Sequence, residues 1–171
     1  MAQAGDPATG TQESMPYAWS LCEEVTAAVT PGGRFVTVHR AEGEPGTLWP
    51  WARHVEGFVY QADSLDFGKT WQPTHKTPMW GYPAHLLVLE NGLLVCVFGY
   101  RRPPYGIHAC ISYDEGETWD YENVRILRSD GAVADLGYPN SVQLKDGRIF
   151  TTYYFTKADG IRHIAATVWT P

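Results

Sequence analysis

One eight-residue pattern occurs twice, as Ser64-Leu65-Asp66-Phe67-Gly68-Lys69-Thr70-Trp71 and as Ser112-Tyr113-Asp114-Glu115-Gly116-Glu117-Thr118-Trp119, both reading S-x-D-x-G-x-T-W. The physics of the octet is that of a tight turn between two strands. A short Asp side chain accepts hydrogen bonds from backbone N–H groups one and two residues on, and the Gly takes a positive φ that strains other residues. The Ser and Thr hydroxyls offer further local bonds, and the Trp supplies a large apolar plate to bury beneath the hairpin.

A longer repeat surrounds the octets. Stretches 33–40 (G-R-F-V-T-V-H-R), 92–100 (G-L-L-V-C-V-F-G-Y) and 147–155 (G-R-I-F-T-T-Y-Y-F) each set a Gly turn before a β-branched and aromatic run, as the second strand of a hairpin would. Apolar runs at 25–29, 86–89 and 141–144 precede them, across the turns Thr30-Pro31-Gly32-Gly33, Glu90-Asn91-Gly92 and Lys145-Asp146-Gly147. Third strands follow at 57–62, 106–112 and 161–169, and the first two run into an octet and a fourth strand. Helical periodicity is absent. The pattern predicts an all-β chain of four-stranded antiparallel meanders, each the size of a propeller blade. Three units are expected, at about 17–80, 81–135 and 136–171, the last without an octet.

A chain of 171 residues with 44% hydrophobic and 13% aromatic content suits one packed domain, and 17 Gly with 12 Pro supply its turns. A net charge of -6 offers no basic footprint for nucleic acid or an anionic membrane. It leaves room for an acidic ligand, because a few arginines in one pocket outweigh the global charge locally. Cys96 and Cys110 sit in apolar runs and Cys22 in a mixed one, which favours buried reduced thiols over a disulfide or metal site. Positions 1–16 are polar and small, the expectation for a disordered leader, and no apolar run has signal-peptide or membrane-span length, which points to an intracellular location.

The octets resemble the Asp-box, or BNR repeat, of sialidases and other β-propeller proteins. In that family the box lies on the rim, so the resemblance makes Asp66, Gly68 and Trp71, with Asp114, Gly116 and Trp119, structural rather than catalytic. A propeller closes with about four to eight blades. Three blades therefore imply a fragment, a two-fold dimer completing a six-bladed ring, or an open half-barrel, and the dimer is the natural closure of equal half-rings.

The similarity extends to exo-sialidases, in which a glutamate opens an inner strand before a Gly turn and an arginine ends the next strand. Glu24, the Gly32-Gly33 turn and Arg40 fit that order, with Glu23 a neighbouring candidate. A later inner strand opens on a tyrosine, as Tyr138 does in Tyr138-Pro139-Asn140-Ser141. The resemblance implies Tyr138 as nucleophile, Glu24 as the base taking its phenolic proton, and Arg40 as one member of a carboxylate-gripping arginine cluster. A neutral phenol suits an anomeric carbon that already carries a carboxylate. Arg101 and Arg102 offer further guanidinium groups, and Tyr82 and His85, in Gly81-Tyr82-Pro83-Ala84-His85, open the middle unit's inner strand.

An insertion at 41–55 carries Trp49 and Trp51, which either stack on a sugar or seal the blade. The family's first arginine and acid/base aspartate belong to blades expected before Met1, leaving Asp63, Asp135, His85 or His108 to fill those roles. For Asp135 a turn cap is the leading reading, ahead of an acid role. The bland alternatives are that Tyr82 and Tyr138 are packing residues and that Glu24 and Arg40 form a rim ion pair. The resulting expectation is a sialidase-like glycoside hydrolase, or a derivative recognising an acidic sugar, dimeric and without metal or organic cofactor. The alternative is a non-catalytic carbohydrate- or protein-binding propeller.

Overall fold

The structure is a computed structural model that describes residues 21–42 and 55–171, so Trp49 and Trp51 lie outside the described residues, as do positions 1–16. It is all-β, with eleven strands in the described residues. The first sheet holds β1 (Leu21–Val29), β2 (Phe35–Glu42), β3 (Val55–Ser64) and β4 (His75–Trp80) in sequence order. The second holds β5 (Ala84–Val88), β6 (Leu94–Tyr100), β7 (Tyr105–Ser112) and β8 (Arg125–Gly131) in the same order. The third has three strands, β9 (Gly137–Gln143), β10 (Ile149–Thr156) and β11 (Arg162–Trp169). Every pairing is antiparallel between neighbours in sequence.

Three hairpin turns repeat one hydrogen-bond pattern. Gly33 N–H donates to the Thr30 carbonyl at 2.9 Å, Gly92 N–H to Leu89 at 2.8 Å and Gly147 N–H to Leu144 at 2.9 Å. All three glycines have φ between +84° and +87°, the left-handed conformation that closes a hairpin loop of this length.

The second sheet is packed on both faces, which explains the unbroken apolar run Leu94-Val95-Cys96-Val97-Phe98. Leu94, Cys96 and Phe98 join Val36, Val38, Val59 and Met79 in a core against the first sheet. Val95 and Val97 turn the other way, toward Ile149, Tyr153 and Phe155 of the third. Cys96 and Cys110 are free buried thiols opposite one another on β6 and β7. The side chain of Cys22 lies outside the described residues.

The octets adopt one geometry, and it differs from the expectation in reach. Asp66 accepts the backbone N–H of Thr70, four residues on, at 2.8 Å, and the Thr70 hydroxyl at 2.6 Å. Asp114 does the same with Thr118 at 2.8 and 2.5 Å. Phe67 and Glu115, as well as Gly68 and Gly116, have positive φ, so the turn bends back further than a simple Asx turn and brings the Thr to the carboxylate.

The second octet also ties two sheets together. Trp119 donates its indole N–H to Gln61 Oε1 at 2.7 Å, and Gln61 Nε2 donates to the Gly116 carbonyl at 2.7 Å. Glu115 accepts from the Thr30 hydroxyl at 2.6 Å and from Gly32 N–H at 2.9 Å. Trp119 is buried, whereas Trp71, on the first sheet, is half-exposed.

Candidate active site

The innermost strands β1, β5 and β9 stand side by side, and their starts converge at one end of the molecule. Two of them begin with a bulge. Residues 24–25 face one residue of β2 between the pairs Glu23–Arg40 and Thr26–Val38, and β9 slips likewise against β10 between Asn140–Thr152 and Gly137–Tyr154. The residues on those bulges are Glu24 (φ 55°) and Tyr138 (φ 50°), both left-handed without being glycine. Each such conformation costs of order 1 kcal/mol and is kept only where its surroundings enforce it, a feature that gathers at functional sites.

The bulges aim the two side chains at each other across the convergence. The Tyr138 hydroxyl donates to Glu24 Oε1. Arg40 Nη1 lies 3.1 Å from Glu24 Oε2, so each carboxylate oxygen has its own partner. Bonding to Glu24, followed by burial, raises the Tyr138 phenol above its usual range, while Arg101 and Arg40 oppose the shift. Tyr138 is nonetheless 57% exposed, so its ring faces an open cleft. That cleft, of about 370 Å³, is lined by Glu24, Thr26, Pro83, His85, Tyr138 and Asn140, with other residues of the same three strands.

Tyr82 sits beside it near two guanidinium groups, with Arg40 at 5.0 Å and Arg101 at 4.8 Å from its ring centroid. Arg101 donates from Nε to the Leu136 carbonyl at 3.1 Å and from Nη2 to the Tyr154 hydroxyl at 3.4 Å. Tyr154, whose ring lies 5.8 Å from that of Tyr138, donates its hydroxyl to Asp135, which also pairs with Arg162. Burial, and then the bond to Asp135, pushes the Tyr154 phenol up to about 12.

The expected residues divide clearly. Tyr138, Glu24 and His85 line the cleft, with Arg40, Tyr82 and Arg101 beside it. His85 Nε2 lies 3.3 Å from the Ser141 carbonyl, and burial lowers the imidazole's affinity for a proton. Arg102 lies one step outward, over Trp80. Asp63 does not belong to the site: it is buried beside the octet end of the first sheet, 3.3 Å from Arg34 Nε and 2.9 Å from Gln61 Nε2. His108 is buried behind Tyr100, its ring stacked on that phenol at 4.3 Å. Asp66 and Asp114 are fully engaged in their own turns.

Tyr154 and Arg162 were not singled out from sequence, although a signal existed for the first. Tyr154 follows Gly147 by the same interval as Arg40 follows Gly33, so the repeat puts the two at equivalent positions. Among the described residues, no group of three or more His, Cys, Asp or Glu side chains is placed to hold a metal ion.

No protein-family model matches the chain, and no curated protein matches it. Solved structures do match. A protein of unknown function from Dyadobacter fermentans is 30% identical, with a TM-score of 0.75 over 91% of this chain and 40% of its own. An α-L-arabinanase of Penicillium chrysogenum is 16% identical, with a TM-score of 0.61 over 92% of this chain and 49% of its own. A Hadza microbial sialidase is 15% identical, with a TM-score of 0.64 over 92% of this chain and 35% of its own. The chain spans less than half the length of each. The likeness establishes the fold: packed antiparallel sheets whose innermost strands β1, β5 and β9 stand side by side form an all-β scaffold shared with these structures.

Proposed function

We propose that the chain is a half-ring of a sialidase-type β-propeller, 17–171 forming one domain, and that its cleft cleaves a terminal acidic sugar. The observation that carries this reading is the Tyr138 hydroxyl held on one oxygen of Glu24 while Arg40 holds the other. The phenol is protonated at neutral pH, so no negative nucleophile approaches an anionic sugar. As the phenolic oxygen attacks the anomeric carbon, Glu24 takes the phenolic proton and the glycosidic C–O bond breaks, an aryl group leaving as its phenoxide. Water then attacks the same carbon, giving its proton to solvent, the Tyr138 O–C bond breaks, and Glu24 returns the proton to the phenolic oxygen. Arg40 holds the carboxylate in line through both protonation states. Arg40 and Arg101, at 5.0 and 4.8 Å from the Tyr82 ring centroid, set positive charge beside the cleft for the sugar's carboxylate.

An aryl leaving group departs without a proton, so an aryl α-sialoside tests the nucleophile by itself. Hydrolysis that falls at least 100-fold in Tyr138→Phe supports the reading, on the scale expected for a lost nucleophile–base pair. Saccharide binding without turnover, in the parent as in the variant, assigns the chain to the non-catalytic binding class instead.

We further propose that a second copy closes the ring. Sheet faces pack in propellers, and both end sheets here present apolar outer faces: Val25 (63% exposed) and Val29 on β1, Ile164 (77% exposed) and Val168 on β11. The half-exposed Trp71 supports the same reading, since its counterpart Trp119 reaches across to a neighbouring sheet. Light scattering tests this: a mass near twice 19.1 kDa is expected, and a monomer at micromolar concentration contradicts it.

A further inference from the structure

Outside the cleft, the same end of the molecule carries a fixed aromatic plate. Trp80, at the end of β4, rests on Gly57, where an added Cβ would stand 2.5 Å from the indole Cε2. Gly57 has φ +75°, so both the space and the backbone there require glycine. Gly81 N–H donates to the Gly57 carbonyl at 2.7 Å, and the Tyr121 hydroxyl bonds the Trp80 backbone. Tyr100 and Tyr82 meet the indole edge-on, with centroids at 5.5 and 6.3 Å.

Arg102 lies over this plate with its guanidinium carbon 3.7 Å from the ring centroid. Its side chain is exposed, and among the described residues it makes neither a hydrogen bond nor an ion pair. The arginines nearer the cleft are engaged, Arg40 with Glu24 and Arg101 with Leu136 and Tyr154. A guanidinium stacked on an indole keeps its five N–H groups in the plane, pointing outward as a fork that matches a carboxylate or a sulfate. The stack also orders the side chain before any ligand arrives, which reduces the entropy lost on binding.

We infer that Arg102 on Trp80 is an anion-binding subsite for an acidic group carried by a sugar unit beyond the one in the cleft. The chain of contacts sets this order, since Tyr82 borders the cleft through Arg40 and Trp80 is the next ring outward. The substrate class is therefore an oligosaccharide with an acid on a second unit. This inference rests on the carbohydrate-binding reading of the cleft. The group recognised is a planar or tetrahedral oxyanion, borne either by a uronic acid or by a sulfate ester.

The test is calorimetric binding of three probes: neutral chitotetraose, a hyaluronan tetrasaccharide with carboxylates only, and 6-O-sulfated chitotetraose. Each is measured with the parent, Arg102→Ala and Arg102→Lys. At least one acidic probe is expected to bind more than about tenfold tighter than the neutral one, and the favoured arm identifies the source of the oxyanion. Arg102→Ala should cut the ratio of acidic to neutral affinity about tenfold, to the share that Arg40 and Arg101 supply beside the cleft. Arg102→Lys, with the charge but not the fork, should keep only part of what Arg102 adds.

A preference that Arg102→Ala leaves undiminished overturns the subsite alone, and equal binding of acidic and neutral probes overturns the subsite together with the acid preference of the cleft. Binding of no saccharide overturns the carbohydrate reading and the subsite together. An acid-selective protein that hydrolyses nothing overturns only the catalytic assignment of Tyr138.

Discussion

Gln61 is the sharpest test of how the sheets are joined. Its side chain is fully buried between the first and second sheets, and it makes three bonds at once. Nε2 donates to Asp63 at 2.9 Å and to the Gly116 carbonyl at 2.7 Å, while Oε1 accepts the Trp119 indole N–H at 2.7 Å. Removing the amide leaves Asp63 with Arg34 as a partner but strips the Gly116 carbonyl and the Trp119 N–H of theirs. Each orphaned buried group costs about 1–3 kcal/mol. Gln61→Leu, which keeps most of the volume, should therefore lose about 2–4 kcal/mol, and Gln61→Ala about 3–5 kcal/mol with the added cavity. Against a typical total of about 5–15 kcal/mol, either is a large fraction.

Urea unfolding followed by tryptophan fluorescence reads the loss. Lys69→Ala, at an exposed octet position, is the control and should stay within about 0.5 kcal/mol of the parent. A double-mutant cycle with Trp119→Phe should return a coupling of about 1–2 kcal/mol. If Gln61→Leu and Gln61→Ala both cost less than about 1 kcal/mol, the octet does not clamp the sheets and the account of their joining is wrong.

Acid should weaken the fold in two stages. Burial lowers the pKa of His39 and His85 and brings that of His108 down to about 4, so the unfolded chain binds protons first as pH falls below about 6.5. Stability should therefore drop between about pH 6.5 and 4, and His108→Gln should remove about 2 kcal/mol of that slope after allowing for solvent at the ring. Bonds from Thr70 hold Asp66 near 2, and Asp114 is lowered in the same turn geometry, so their stabilising effect is present above about pH 4 and is lost below it. Denaturant midpoints across pH check both stages. Gly57→Ala should destabilise by about 1–3 kcal/mol and displace Trp80, read as a lower urea midpoint with a shifted emission maximum. A midpoint unchanged from the parent would mean that the indole does not rest on that backbone.

Much of the scaffold was legible because its signals are local. The Gly turns at 33, 92 and 147, the alternating runs after them and the doubly buried run of β6 all follow from backbone chemistry and from which faces are covered. The meeting of Glu24, Arg40 and Tyr138 was reachable only through the family resemblance, because residues 24 and 138 are brought together by sheet stacking and not by spacing. The bulges beneath them left no mark, since neither residue is a glycine. Positions between the fixed octet residues looked free, yet Glu115 ties the first sheet to the second, and no rule of turn chemistry predicts a partner 83 or 85 residues away. The sequence places Arg101 among the substrate arginines, whereas two of its nitrogens bond the Leu136 carbonyl and the Tyr154 hydroxyl, and its guanidinium carbon lies 4.8 Å from the Tyr82 ring centroid. Asp63 reads as a spare carboxylate in the sequence, but its burial beside Arg34 engages it in the first sheet.

The central claim is that the Tyr138 oxygen forms a bond to the anomeric carbon. Trapping addresses it directly: the protein is incubated with a 3-fluorosialosyl fluoride, which slows departure of the sugar from the enzyme, and is then digested for mass spectrometry. The account predicts one glycosyl adduct, on the peptide containing Tyr138, absent from Tyr138→Phe and strongly reduced in Glu24→Gln. Turnover of an aryl sialoside with no adduct on that peptide, or an adduct that persists in Tyr138→Phe, would contradict it.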